Sequence, residues 1–466
     1  MAKKTHNGGP DESGSNHASA SVEELLLAAQ GRGDESGETG RYLVTFREGA
    51  GPEALQVLRS QGLRVADARD FAGQAVAFDG IGDADTIAFP EIGVALIGAD
   101  TAQERGLNAQ AELAADGPLE IVEAERFVFA DAVYDEYLRG AAQETAPRAY
   151  QAGAPRPAGG PTNDYVSGFL RAAEMIAREL RSDGDGRSAQ EQDLLEEVQV
   201  LGATWGLVAC KVPPSLRSGL GVKVAVLDTG MDLGHPDFMG RPIVGATFVG
   251  QPVQDVFGHG THVTGTACGP KAPAGSTPRY GIGPRASIYT GKVLNNSGAG
   301  TSATVLAGMN WAIANRCQVI SMSLGGPGGP LAAYTAAGQA ALNNGLLMIA
   351  AAGNSSGPTG APANSPTIMA VAALDANLSP SSFSNFGKID LSAPGRDVFS
   401  SWPRPTRYKT ISGTSMATPH VAGCAALWAE SAANLRGAAL WRKLLATARR
   451  LPFPATRVGA GLVQAP

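Results

Sequence analysis

Apolar and polar positions divide the 466-residue chain into four stretches of different character. Residues 1–40 are rich in Gly, Ser, Asp and Glu and predict no ordered structure. Order begins at Arg41. The runs YLVTF (42–46), AVAF (75–78), GVALIG (93–98) and LEIVEAERFVFA (119–130) predict strands. PEALQVLRSQG (52–62) predicts a short helix, and the Ala-, Gln- and Glu-containing stretch after residue 98 a second. Together they make residues 41–130 a small α+β unit of the ferredoxin-like, split βαβ kind. Residues 131–200 form a linker, with APRAYQAGAPRPAGGPTND as its Pro-, Ala- and Gly-rich part. Helical apolar spacing follows at 164–180 and, more weakly, at 191–201.

Residues 201–466 form the last and largest stretch. Near-continuous apolar runs at 222–227, 286–294, 318–324, 345–352 and 367–374 predict strands buried on both faces. Helical segments at 302–315, 331–344 and 416–431 separate or follow them. That alternation predicts an α/β unit: a parallel sheet between two layers of helices, with any site beyond the carboxyl ends of the strands.

Composition narrows the function classes. Hydrophobic residues make up 44% and charged residues 17%, enough for a large core, and the 60 glycines imply tight turns and close backbone approaches. The net charge of −6, with no block of Lys and Arg, argues against a nucleic-acid partner. No apolar run reaches the roughly 18 residues of a membrane helix. Leu25–Leu27, with acidic flanks, is too short for a secretory signal, so the expectation is a cytoplasmic protein, with non-classical export as the alternative. Cys210, Cys268, Cys317 and Cys424 are scattered without CxxC spacing and are expected to be reduced.

Four short segments carry candidate chemistry. VAVLDTG puts Asp228 just past a buried strand, where it faces the crevice. GHGTHVTGTA puts His259 at the start of a small-residue helix, and HGTH lacks the Glu of a zinc-binding HExxH. His235, His262 and His420 suit structural positions in a loop, a helix face and a turn. SGTSMATPHVAG puts Ser415 at the opening of a helix, whose free N–H groups favour a developing oxyanion. Pro419 is expected in the first turn, where a missing N–H costs little. AAAGNSS offers the Asn354 amide as a second donor to that oxyanion. The order Asp, His, Ser is neither that of chymotrypsin nor that of the α/β-hydrolases, and no GxSxG surrounds Ser415.

The segments VAVLDTGMDLGHPDF, GHGTHVTGT, ISMSLGG, AAAGN and GTSMATPHVAG resemble the subtilisin-like (subtilase) serine peptidases over roughly residues 204–466. The resemblance implies a serine endopeptidase with Asp228, His259 and Ser415 as its triad and Asn354 in its oxyanion hole. It implies a P1 pocket lined by Ser323, Leu324, Gly325, Ala352 and Gly353. Gly298, Ala299 and Gly300 would pair with the substrate backbone as an added strand. An inactive binding scaffold of the same fold is the alternative. Residues 41–130 resemble the family's inhibitory propeptide, with IVEAERFVFA leading into the cleft. The expected partners are therefore protein or peptide substrates and the chain's own N-terminal unit, with self-processing between Ala130 and Leu201. The sequence departs from the family where an Asn-rich calcium loop is expected: CGPKAPAGSTPRYGIG stands there instead. Asp237 and Asp390 match cation-site positions, but their partners are missing, so a structural calcium ion has no support and no cofactor is expected for the chemistry. No Asp or Glu stands in the P1 segments, so a basic P1 preference is not expected.

Overall fold

A computed structural model describes residues 17–32, 36–107, 113–114, 116–130 and 202–466. The linker expected at 131–200, with the helices expected at 164–180 and 191–201, lies outside the described residues. The N-terminal part runs α1 (Val22–Arg32), β1 (Glu38–Phe46), α2 (Gly51–Ser60), β2 (Val65–Asp67), β3 (Thr86–Phe89), β4 (Val94–Ile97), α3 (Ala99–Glu104) and β5 (Leu119–Ala130). Its sheet has the order β5-β1-β4-β3-β2, antiparallel throughout except for the β2–β3 pair. Strands β1, β3, β4 and β5 with α2 and α3 make the split βαβ arrangement. Successive side chains on a strand face opposite ways, so Val44 and Phe46 pack with Ala54, Leu58 and Ala102 under α2 and α3. Leu43, Ile87, Phe89 and Leu96 take the other face and join the large core of the C-terminal unit.

Two expectations fail here. Residues 75–78 are not a strand: the chain winds through short 3₁₀ turns at Ala72–Gln74 and Phe78–Gly80, with Gly73 at φ 61°. Val76 and Phe78 are apolar because they are buried there, not because they pair. The stretch expected to be unstructured contains α1. A reciprocal cap opens that helix: the Ser21 N–H donates to Glu24 Oε2 at 2.8 Å and the Glu24 N–H to Ser21 Oγ at 3.3 Å. This is the S-x-x-E capping box. Val22, Leu25 and Ala29 form its apolar stripe and pack on Phe127, Phe129, Val249 and Ala299.

The C-terminal unit runs α4 (Trp205–Ala209), β6 (Lys223–Asp228), β7 (Ile243–Thr247), α5 (His259–Cys268), β8 (Ser287–Lys292), β9 (Ala299–Thr301), α6 (Ser302–Ala314), β10 (Val319–Met322), β11 (Leu324–Gly325), α7 (Ala332–Asn343), β12 (Leu347–Ala351), β13 (Met369–Leu374), β14 (Leu391–Pro394), β15 (Val398–Ser401), β16 (Tyr408–Ile411), α8 (Thr414–Ser431), α9 (Gly437–Thr447) and α10 (Ala455–Val458). Its central sheet is parallel, in the order β14-β13-β12-β10-β6-β8-β7. Ala225, Leu227, Ile320, Met322, Met348 and Ala350 face the layer of α6 and α7. Val224, Val226, Val319, Leu347 and Ile349 face α5 and α8. Each such Val, Leu or Ile contributes roughly 1.5–3 kcal/mol when fully buried, which is why these strands read as unbroken apolar runs. Among the described residues no helix is long and apolar enough to cross a membrane.

Strand β5 extends past its own sheet. Its last residues pair antiparallel with β9 (Phe127↔Thr301, Val128↔Gly300, Phe129↔Ala299) and with β11 (Leu324↔Ala130, Gly325↔Phe129). The N-terminal unit thus supplies the middle strand between two edges of the C-terminal unit.

Candidate active site

Parallel strands end on one edge of the sheet, and β6 ends there with Asp228, which is buried. Thr229 turns the chain, and its N–H donates to Asp228 Oδ1 at 2.7 Å. His259 opens α5, and its Nδ1 lies 2.8 Å from the same Oδ1. Facing a carboxylate, Nδ1 carries the proton, and Nε2 is left as the basic nitrogen. Glycine is needed on either side of this histidine. Gly258 has φ 106°, and a Cβ there would stand 2.3 Å from the Trp402 ring; a Cβ on Gly260 would stand 2.2 Å from the Gly230 carbonyl oxygen.

Ser415 is the second residue of α8 and is buried. Its Oγ donates to the Ser323 carbonyl at 3.0 Å, and Ser323 Oγ donates to the Ser415 carbonyl at 2.7 Å. Pro419 explains why that carbonyl is available. It lies in the second turn, not the first, so it removes the N–H that would bond back to Ser415, and Ser323 supplies the missing donor. Ser323 follows β10, which pairs in parallel with β6 in the register Met322↔Leu227, so Ser415 and Asp228 stand at the same edge of the sheet.

The orientation of Asn354 follows from its neighbours. The Thr414 N–H can only donate, so the side-chain atom 2.8 Å from it is the carbonyl oxygen; Thr414 Oγ1 donates to the same oxygen at 3.0 Å. The amide NH₂ therefore points the other way. A Cβ built on Gly413 would lie 3.0 Å from Asn354 Nδ2 and 3.7 Å from the Ser415 nitrogen, so these two donors border one small space.

His235, His262 and His420 are structural. His262 Nε2–H donates to the carbonyls of Val398 (3.0 Å) and Lys409 (3.2 Å), and burial, aided by His259, pushes its pKa down to about 3. His420 Nδ1–H donates to Met416 at 2.8 Å, and burial pushes its pKa down to about 4. His235 bonds to the Arg407 carbonyl at 2.8 Å. Both lowered values lie below the ordinary 6.5 of an unfolded histidine. The unfolded chain therefore binds up to two more protons, and these groups cost stability as pH falls from about 6.5 toward 4 and 3, with no contribution above. Urea unfolding of the Ser415→Ala chain across that window should show the loss. His420→Gln, which cannot titrate there, should flatten the slope by about 1.4 kcal/mol per pH unit.

A cavity of about 680 Å³ opens beside Asn354. It is lined by Gly325, Ala352 and Gly353 among the expected residues, and by Phe129, Thr359, Asn385, Phe386 and Lys388 among others. Ser323 and Leu324 are not in its wall: the first holds Ser415, the second pairs with Ala130. Gly298, Ala299 and Gly300 lie along β5, where the Ala130 N–H donates to the Gly298 carbonyl at 2.8 Å. Asn385 has no sequence signal. Its amide donates to the carbonyls of Ala352 and Pro358 and accepts from the N–H groups of Ser355 and Gly357, which shapes the wall. Among the described residues no carboxylate lines the cavity, and the Lys388 ammonium bonds to the Ile368 carbonyl and Asp390.

The two carboxylates that match cation-site positions are held by protein donors. Asp237 Oδ2 accepts from the hydroxyls of Tyr280 (2.6 Å) and Tyr408 (3.0 Å). Asp390 accepts from the Ala370 N–H and from Lys388, both at 2.7 Å. These residues do not fit a calcium ion, and among the described residues no three His, Cys, Asp or Glu side chains group to hold one.

The model of the subtilase family (Peptidase_S8) matches residues 219–461, more than half of the chain. This chain belongs to the subtilase family. Subtilisin amylosacchariticus of Bacillus subtilis subsp. amylosacchariticus is 40% identical over an alignment covering 54% of this chain and 68% of that protein. Subtilisin Savinase of Lederbergia lenta is 45% identical, covering 48% and 82%. The crystal structure of a cold adapted subtilisin-like serine proteinase superposes with a TM-score of 0.51 at 35% identity, covering 57% of this chain and 98% of that one. This subtilase is a serine endopeptidase acting on protein substrates, with the three-layer α/β fold of its family.

Proposed function

We propose that Asp228, His259 and Ser415 are the triad of this endopeptidase, and that Asn354 and the Ser415 N–H hold its oxyanion. The Asp228–His259 hydrogen bond at the rim of the sheet, where α8 also begins, carries this reading. His259 Nε2 takes the Ser415 proton as the hydroxyl attacks the scissile carbonyl. Asp228 keeps the imidazole in its Nδ1–H form and offsets the charge of the imidazolium. His259 then protonates the leaving amine, and water hydrolyses the acyl-enzyme by the same route. Gly298–Gly300 and Leu324–Gly325 pair with the substrate backbone, and the cavity, lined mostly by Gly, Pro, Ala and Phe, takes an apolar P1 side chain. Asn354→Ala is expected to lower kcat about 10²–10³-fold with KM nearly unchanged, a magnitude known from subtilisin itself. Steady-state kinetics on a peptide substrate check it.

The unit that ends in β5 is the enzyme's own inhibitor. Its strand lies between β9 and β11, where substrate would pair. Two carboxylates of β5 support the docking. Glu123 accepts from the N–H groups of Ala332 (3.0 Å) and Ala333 (2.8 Å) at the start of α7, and Glu125 from Ala303 (3.1 Å) at the start of α6. Helix N-termini favour such charges. Helix α1 adds a clasp: Glu23 accepts from Gln251 (2.9 Å) and Asn295 (2.7 Å) of the C-terminal unit. Buried Arg41 binds Glu125 through two bonds, at 2.7 and 2.9 Å, and donates to the Ala18 and Ala20 carbonyls ahead of α1. The inhibitor is released by self-cleavage between Ala130 and Leu201. Mass spectrometry should find the wild type cut within that span and Ser415→Ala at its full 47.6 kDa. Two full-length proteins would sink self-processing.

A further inference from the structure

Asp228 and His259 arrive on separate segments, and their mutual register must be set by something other than their own bond. Thr229, the residue after Asp228, is where the two segments are joined. Its hydroxyl accepts from the Gly260 N–H at 2.8 Å, directly beside His259, and donates to Asp255 Oδ1 at 3.0 Å. Its carbonyl accepts from the ammonium of buried Lys292 at 2.5 Å.

Asp255 is itself buried and belongs to neither segment's regular structure. Beside Thr229, its Oδ1 accepts from the N–H groups of Phe257 (3.1 Å) and Gly258 (2.8 Å). Its Oδ2 accepts from the Thr261 N–H (2.8 Å) and the Thr261 hydroxyl (2.7 Å). One carboxylate therefore grips the chain on both sides of His259 and, through Thr229, the turn that follows Asp228. Every group facing it is a donor, so both of its oxygens must accept.

We infer that Asp255 is a positioning residue for catalysis, which acts through Thr229 to hold the His259 imidazole in register with the Asp228 carboxylate. It touches neither the nucleophile nor the β9 and β11 edges along which substrate would pair. An amide at this position would turn an NH₂ group against N–H or O–H donors on one side and release half of the grip. A displacement of about 1 Å in a reacting group costs on the order of 10²-fold in rate.

This inference rests on the triad reading, and the experiment is arranged to separate the two. Full-length wild type, Asp255→Asn, Thr229→Val, Thr229→Ser and Ser415→Ala are each incubated to constant activity. The folded fraction is taken from circular dichroism, and kcat, KM and the pH profile of kcat/KM are read on a chromogenic peptide. The charged or titratable groups around His259 are Asp228, Asp255, Lys292 and the neutral His262. Weaker support of the imidazolium in Asp255→Asn should move the acid limb of the profile to lower pH. That variant should lose about 10²-fold in kcat per folded molecule, with KM within about twofold. Thr229→Val should behave likewise, and Thr229→Ser, which keeps the hydroxyl, should return to within about threefold of wild type. A fold-only role would lower the folded fraction and leave kcat per folded molecule and the acid limb in place. The inference is overturned by an Asp255→Asn enzyme within about threefold of wild type in kcat, by a loss that falls on KM, or by Thr229→Ser faring no better than Thr229→Val. Should Asp255→Asn not fold, the two Thr229 variants decide alone. Activity retained by Ser415→Ala would instead remove the triad reading; an inert Ser415→Ala beside a wild-type-like Asp255→Asn would remove only this inference.

Discussion

Replacing Ser415 by alanine should lower kcat about 10⁶-fold, a magnitude established for subtilisin by direct measurement rather than one read from this geometry. The physical reason is that the variant lacks the hydroxyl proposed to form the acyl-enzyme. The chain still binds substrate, and the Asn354 amide and the backbone N–H at position 415 still polarise the scissile carbonyl. A residual acceleration of about 10³–10⁴ over water should therefore survive. The fold should survive too. The lost hydroxyl gives up its bond to the Ser323 carbonyl at 3.0 Å, while Ser323 Oγ keeps its own bond to the backbone of residue 415. A fluorophosphonate probe should label the wild type and leave the variant unlabelled, with unchanged circular dichroism. A variant that is still labelled, or that turns over within tenfold of wild type, would place the nucleophile elsewhere.

The parallel strands are legible in the amino-acid sequence because burial on both faces leaves no polar positions in them, as in LMIAA of β12. The candidate site is legible because its constraints are local: Asp228 ends a strand, His259 and Ser415 open helices, and glycine flanks the histidine on both sides. What escapes a reading of the sequence depends on contacts across long stretches of chain. Val76 and Phe78 follow a strand-like alternation, yet they fill space under a sheet that does not include them. Asn385 shapes the cavity wall from more than thirty residues beyond Asn354, by hydrogen bonds that no local pattern announces. Pro419 suggests a first-turn position, but its value lies in the second turn, where the carbonyl it frees is taken up by Ser323. Helix α1 is a different case. Its S-x-x-E start and its apolar stripe stand in plain view, but the polar composition around them outweighs both.

Asp228→Asn and Asp228→Ala should separate the two things this carboxylate does. Oδ1 accepts from both the Thr229 N–H and His259 Nδ1, whereas Oδ2 has no hydrogen-bond partner among the described residues. In the asparagine variant, the Thr229 N–H selects the carbonyl oxygen for the Oδ1 position, because an amide NH₂ there would face another donor. The imidazole thus keeps its acceptor and its Nδ1–H tautomer, and only the negative charge is lost. At about 4 Å and an effective dielectric near 20, that charge is worth about 4 kcal/mol to the imidazolium, or about 10³-fold in kcat. The new NH₂ group is buried without an acceptor and should cost about 1–3 kcal/mol of stability. Alanine removes acceptor and charge together, leaving the tautomer unfixed, and should lower kcat by about 10⁴-fold or more. KM should move little in either, since Asp228 lies behind the imidazole from the substrate. Kinetics of both variants on one peptide decide the matter: an asparagine enzyme as slow as the alanine one would mean that Thr229 does not fix the amide, and that orientation and charge fail together.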